Sequence, residues 1–447
     1  MRADRRCSLP LANMFSAIEV EQILCVCVLA FFAMQGAIPG IAPNEANEMT
    51  HTAATNLMKV AGIGSQLLIN ATIAILVLGY IERLRHFVFA LRWTAAIAVL
   101  SVCSIVWSQD ATTTARRSIP FALATAFGLY FASRFQIREQ LSILTSTMVL
   151  LALASVALAL FAPSIGLEAS QGHHGDWQGV FTQKNACGRA MVFAGISLLS
   201  AERMNPARYA ALLLFTVVLV MSGSRGAWLI GAILLFCFGL LRLLNRFDPD
   251  SRVLLLHGLV FAMIAALAAA WFCLPMVTGV LHRDVTLTGR TAIWHQVWIA
   301  ILKRPLLGYG FSAFWQGMRG ESSNVTIALR FVIFHAHNGF LEMWLELGAA
   351  GLFLFVLSYL RAWRRLWTIL CSGEIRTTCW MVLFLLFIAL YNLDENTLLT
   401  FNGIFWVLYV VAVANIEIFS LEHRQLHSLS NRVVSIDPVH RPSMVRI

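Results

Sequence analysis

The sequence predicts an all-α polytopic membrane protein with about 12 transmembrane helices and one large extracytoplasmic loop. Three observations carry this. Of 447 residues, 59% are hydrophobic and only 13% charged, with a mean hydropathy of +0.73, whereas soluble domains carry about 25% charged residues. Apolar runs that suit a membrane helix of roughly 20 residues recur along the chain. Arginines collect at the ends of those runs, where positive charge orients a membrane protein.

The runs place spans at 20–39, 60–81, 88–107, 118–133, 141–162, 186–201, 207–223, 226–245, 253–275, 337–360, 378–396 and 401–419. Tilt and local thinning accommodate the short ones. An even number of spans puts both termini on one side. Each short connection on that side holds at least two arginines, such as Arg134 and Arg138, Arg242 and Arg246, or Arg361 and Arg364. The positive-inside rule makes that side cytoplasmic. The basic residues left outside or near outer helix ends are Lys59, Arg116, Arg117, Lys184, Arg189, Arg225, Arg283, Arg290, Lys303, Arg304, Arg319 and Arg330. Orientation does not require them, so they point to function. The expected organisation is helices over 1–275, an outer loop over 276–336, helices over 337–420, and a basic, mobile cytoplasmic tail over 421–447.

The net charge of +10 does not indicate nucleic acid, because its arginines border apolar runs rather than one soluble face. The nine cysteines are scattered, with no CxxC pair, which excludes a disulfide framework or a cysteine zinc site. Arg2, Arg5 and Arg6 before the run from Gln22 to Ala37 resemble a signal peptide, but no A-x-A site follows, so the run reads as the first span.

Within the outer loop, Ile293, Trp294, Val297, Trp298, Ile301 and Leu302 recur at helical spacing, capped by Thr288 or Gly289 and stopped by Pro305. Two tryptophans on one face predict a helix lying on the outer leaflet; packing on neighbouring loops is the alternative. Gly308-Tyr309-Gly310 then turns the chain.

Several residues are candidates for chemistry. Arg225, in Ser224-Arg225-Gly226, lies between two apolar runs. A charge there costs at least about 2.5 kcal/mol unless it meets water or a partner. Its forked donor suits phosphate, although an arginine snorkelling to lipid head groups gives the same pattern. Arg290 opens the loop helix, where anions are favoured; a solvated loop arginine fits its spacing as well. His337 precedes Glu342 and Glu346, which share a helix face. A histidine at a membrane mouth serves as a general base near neutral pH, and a polar cap above paired glutamates is the bland counterpart. The segment from Gly175 to Asn185 mixes Trp177, Lys184 and amides, which suits sugar stacking and phosphate contact. His173, His174 and Asp176 converge poorly for a metal, and Asp248-Pro249-Asp250 reads as a turn.

Taken together these segments resemble one family. Trp107-Ser108-Gln109-Asp110 with Arg116-Arg117 is similar to its WS-x-D and paired basic residues. Gly175 to Asn185 with Gly188 is similar to its K-N segment, with Gln183 where histidine is common. Ser224-Arg225-Gly226 resembles its SRG, and Thr288-Gly289-Arg290 through Trp294 and Pro305 to Gly310 resemble its GR-x-x-x-W and P-L-x-G-x-G. His337-Asn338 with Leu341, Gly348 and Gly351 resembles its H-N-x-x-L…G-x-x-G. The family is the O-antigen ligase and polysaccharide polymerase superfamily, on the side of its exopolysaccharide polymerase (ExoQ-like) branch.

The resemblance implies a GT-C-like membrane glycosyltransferase of the bacterial inner membrane, with a large periplasmic loop. It implies an inverting, metal-independent transfer from an undecaprenyl-diphosphate-linked glycan, without a cofactor. Carried over, Arg225 and Arg290 hold the diphosphate and His337 activates the acceptor hydroxyl. Lys184, Asn185, Arg116, Arg117, Trp177, Asn338 and Glu342 are expected to bind substrate. The expected partners are the lipid-linked oligosaccharide, an acceptor glycan, membrane lipids and other polysaccharide-assembly proteins, and no nucleic acid. A ligase acting on lipid A core is the alternative to a polymerase. A lipid-linked sugar flippase is less favoured because no repeated halves are evident.

Overall fold

The computed structural model describes residues 17–39, 56–82, 84, 91–169, 175–201, 204–248, 250–258, 290–371 and 375–436. Its helices are α1 (Ala17–Ala33), α2 (Asn56–Leu78), α3 (Arg92–Cys103), α4 (Ala111–Arg134), α5 (Ile137–Phe161), α6 (Lys184–Leu199), α7 (Pro206–Met221), α8 (Arg225–Leu244), α9 (Arg290–Lys303), α10 (Ser322–Leu329), α11 (Gly339–Cys371), α12 (Ile375–Asn392) and α13 (Ile404–Ile436). No β-strand occurs among the described residues; Leu167 and Trp177 form an antiparallel bridge. Five helices are long and apolar enough to cross a membrane: Met58–Leu78, Ile137–Phe161, Arg225–Leu244, Gly339–Cys371 and Ile404–Leu421. Shorter apolar helices cover Arg92–Val106, Pro206–Met221 and Thr378–Asn392. The protein is an all-helical, multi-pass membrane protein. Most of the span expected over 253–275, and the loop segment 276–289, lie outside the described residues.

Local chemistry explains where the helices depart from the apolar runs. The run at 118–133 belongs to a helix that begins seven residues earlier, at Ala111. Asp110 caps it, accepting the backbone N–H of Thr113 at 3.0 Å and its hydroxyl at 2.7 Å. Arg116 and Arg117 therefore sit on a helix instead of a connecting loop. At the other end of the chain, α13 continues to Ile436, past the expected boundary at 420. From Leu421 to Leu426 the sequence is built of strong helix formers, and no proline occurs until Pro438.

The core is centred on α12 and α13. Trp380, Phe384, Phe387, Trp406 and Tyr409 are fully enclosed there, and α13 packs along α4 and α11. Arginines that the sequence assigns to the cytoplasmic side have acidic partners. Arg134 binds Glu21 through two donors at 2.9 and 2.7 Å, while Arg361 and Arg365 share Glu417 at 2.9 and 2.8 Å.

The loop before α11 is anchored by a break in that helix. Gly348 leaves the helical conformation (φ +68°, ψ −172°), and the 305–310 segment passes through the gap. Ala349 N–H donates to the Pro305 carbonyl at 2.8 Å, and Tyr309 and Gly310 N–H donate to Leu345 and Glu346 at 3.0 and 2.9 Å. Backbone groups freed by the kink are thus satisfied by the loop. A Cβ on Gly348 would stand 2.2 Å from the Leu306 carbonyl carbon, so only glycine fits.

A second apolar cluster joins Ile293, Val297, Ala300 and Ile301 of α9 to Tyr309, Phe314, Trp315 and Leu345. The Trp294 indole donates to the Ala336 carbonyl at 3.0 Å, and Trp298 packs edge-on against Trp344. The loop helix is thus packed on its own loop and on α11. Its outward residues Trp298, Ile299 and Leu302 remain exposed.

Candidate functional site

Lys184 opens α6, Arg225 opens α8, and Arg290 is the first described residue of α9. These three residues converge. The Lys184 ammonium pairs with Asp176 at 2.7 Å. Asn185 accepts a hydrogen bond from Ser224 of the Ser-Arg-Gly turn at 3.0 Å and donates to Glu395 at 3.3 Å. Arg290 pairs with Asp394 and, at 3.5 Å, with Glu395. Gly226 closes the ring, since a Cβ there would stand 3.0 Å from the Asp394 carboxylate. Helix N-termini carry partial positive charge and free N–H groups, so the convergence forms a strongly anion-attracting surface. Arg225 is exposed, and among the described residues its side chain has no hydrogen bond or ion pair. It is the cation most open to a ligand.

His337 lies beside this surface. Its Nδ1 stands 3.5 Å from the Glu395 carboxylate, and its N–H donates to His335 Nδ1 at 3.2 Å, with the two rings 4.0 Å apart. Its backbone is left-handed (φ +48°), an uncommon conformation for a non-glycine residue that the surroundings must enforce. Part of that enforcement comes from Glu342, which accepts the Ala336 N–H and the Trp315 indole, both at 2.6 Å. Asn338 adds to it by capping α11, accepting the N–H groups of Phe340 and Leu341 at 3.0 Å.

Glu395 is the hub. Burial alone would raise its carboxyl, but the His337 contact and the charges of His335, His337 and Arg189 hold it down to about 2. Burial and the neighbouring His337 push His335 down to about 4, which keeps it neutral near pH 7. Ligand atoms of His335, His337 and Glu395 all lie within 4.8 Å of one another, a donor set able to hold a metal ion. Arg290 competes for the same carboxylate, and its charge opposes a cation there.

The expected site residues fall into two groups. Arg225, Arg290, His337, Lys184 and Asn185 come together. Trp177 is half-buried and packed against the core, and its backbone N–H donates to the Met221 carbonyl at 2.9 Å, beside the Ser-Arg-Gly turn. Glu342 is 1% exposed with its oxygens already engaged, so its position is that of a brace. Asn338 is likewise occupied as a cap. Arg117 donates to the carbonyl and hydroxyl of Ser312, both at 3.0 Å, and lies over Phe401; Arg116 neighbours it on α4. Asp176 is engaged by Lys184, while His173 and His174 lie outside the described residues.

Sequence reasoning missed Asp394 and Glu395, and named Arg189 only among the cations that orientation does not require. The two carboxylates fall at the edge of an apolar run, and the span drawn over 378–396 hides them. The signal available was an acidic pair between two spans at the outer end, where arginine partners wait. Arg189 was visible as a cation inside the run from Ala186 to Leu199.

Residues 210–356, which include Arg225, Arg290 and His337, match the family model described as O-Antigen ligase. The chain is also 27% identical over 277 residues to the exopolysaccharide production protein ExoQ of Rhizobium meliloti (strain 1021). That alignment covers 59% of this chain and 62% of the relative, so it spans less than two thirds of the relative's length. Both comparisons support a likeness to O-antigen ligase and ExoQ-like proteins.

Proposed function

We propose that the protein polymerises an extracellular polysaccharide by transferring a glycan from an undecaprenyl diphosphate carrier to an acceptor sugar hydroxyl at the outer membrane-water boundary. The observation that carries this reading is the convergence of the α6 and α8 N-termini, led by Lys184 and Arg225, with Arg290 of α9, beside the His337–Glu395 pair. A diphosphate is the leaving group such a surface stabilises best, because fixed cations and N–H dipoles face the charge that develops. Arginine adds a bidentate fork.

In the proposed step the acceptor hydroxyl oxygen attacks the anomeric carbon from the face opposite the diphosphate. The carbon–oxygen bond to phosphate breaks, its electron pair leaves on the diphosphate, and the hydroxyl proton passes to His337. Inversion follows from the single displacement. Glu395 steadies the imidazole as it becomes charged. Arg225, without a partner among the described residues, takes the diphosphate first. Arg290 turns to it from Asp394.

A ligase that attaches finished glycan to lipid A core is the second reading, favoured by the description of the matching family model. Deleting the gene separates the two. Carrier-linked single repeat units in the deletion strain support polymerisation; full-length polymer left unattached supports ligation and overturns the first reading.

A further inference from the structure

Arg189 is the least explained charge in the protein. It lies one helical turn after Asn185 on α6, is 3% exposed, and has no carboxylate within ion-pair distance among the described residues. Its Nε has no hydrogen-bond partner, and the contact it makes is with the face of Phe405, 5.3 Å away. A buried guanidinium in this state is costly unless another charge compensates it. Residues four apart share a helix face, so Arg189 lies below Asn185, which reaches Glu395 directly. Arg189 also lines a small cavity with Thr397, two residues beyond Glu395. Asn185, one turn before it, thus links the Arg189 face of α6 to the Glu395 carboxylate.

We propose that Arg189 is a positioning residue: a permanent buried counter-ion that keeps Glu395 ionised beneath His337 while Arg290 is drawn to a phosphate-bearing donor. The reasoning rests on the proposed use of Arg290. Arg290 is shared between Asp394, Glu395 and any anion arriving from outside. When it turns to such an anion, Glu395 is left 4% exposed with no direct cationic partner other than His337. Arg189 is only 3% exposed, so its guanidinium is closed to solvent and its charge stays in place while Arg290 moves. The division of labour is one arginine that can leave and one that cannot.

A thermal double-mutant cycle on the full-length protein in detergent tests this without any transfer assay, so its failure is separable from failure of the glycosyltransferase reading. Arg189→Met should lower Tm by several degrees in the wild-type background, and Arg189→Lys by less. In a Glu395→Gln background, Arg189→Met should leave Tm unchanged or raise it, because both buried charges are then absent. Equal losses of Tm in the two backgrounds would mean that Arg189 acts through packing alone, and would overturn the proposal. Should Arg189→Met not survive purification, recovery of a folded Arg189→Met/Glu395→Gln protein by size-exclusion chromatography supports the coupling. Loss of both proteins contradicts it.

Discussion

Lys184, Arg225 and Arg290 converge on one site, yet differ in what holds them. Lys184 is tied to Asp176, Arg290 to Asp394 and Glu395, and Arg225 to nothing within the described residues. That gradient predicts a division of roles. Arg225→Ala should weaken donor binding with little effect on folding, read as an increase in donor KM at unchanged Tm. His337→Ala should keep donor binding and reduce transfer by about 10²–10⁴-fold, the usual contribution of a general base; abolished donor binding would reassign the residue. Acid should act through the same cluster. His335 is held at about 4 against an ordinary 6.5, so the stability it contributes is present above pH 6.5 and lost as pH falls towards 4. Glu395, held at about 2 against 4.5, contributes stability above pH 4.5 that is lost as pH falls towards 2. His335→Asn should therefore flatten the Tm profile between pH 6.5 and 4, and an unchanged slope would contradict the assignment.

Helices place these residues, and the kink in α11 does most of the placing. Because the 305–310 segment occupies the gap at Gly348, loop and helix are one unit, and His337 is fixed at their junction. Gly348→Ala adds a Cβ against the Leu306 backbone at a left-handed position. It should cost on the order of 1–3 kcal/mol, seen as a lower Tm, and should reduce transfer without touching a charged group. Much of this level was legible in the sequence. The run at 226–245 became Arg225–Leu244, and the loop helix read from Ile293 to Leu302 became Arg290–Lys303. Such runs are legible because burial against lipid or protein selects apolar side chains whatever the neighbours are. Interactions between distant segments were not. Nothing local marks Glu342 as the acceptor for Trp315, or Glu395 as the partner of Arg290, since each pairing spans residues far apart in the chain. The motif resemblance supplied Arg225, Arg290 and His337; the carboxylates that hold them required coordinates.

For the molecule as a whole, asymmetry between its two ends is the organising fact. One end ties arginines to acidic partners inside the bundle, as Arg134 with Glu21 and Arg361 and Arg365 with Glu417. The other gathers cations at helix N-termini around a histidine. The first end is expected in the cytoplasm and the second outside. A cysteine placed at Arg319 in a background without native cysteines should react with a membrane-impermeant maleimide in cells whose outer membrane is permeabilised; protection until the inner membrane is broken would reverse the orientation. The anion-binding end is the central claim, and Arg290→Lys tests it most directly. Lysine keeps the charge but loses the bidentate fork. Purified Arg290→Lys protein, given a lipid-diphosphate-linked oligosaccharide, should extend it on the order of 10²-fold or more slowly than wild type, with Tm preserved. Extension at the wild-type rate would contradict the clamp.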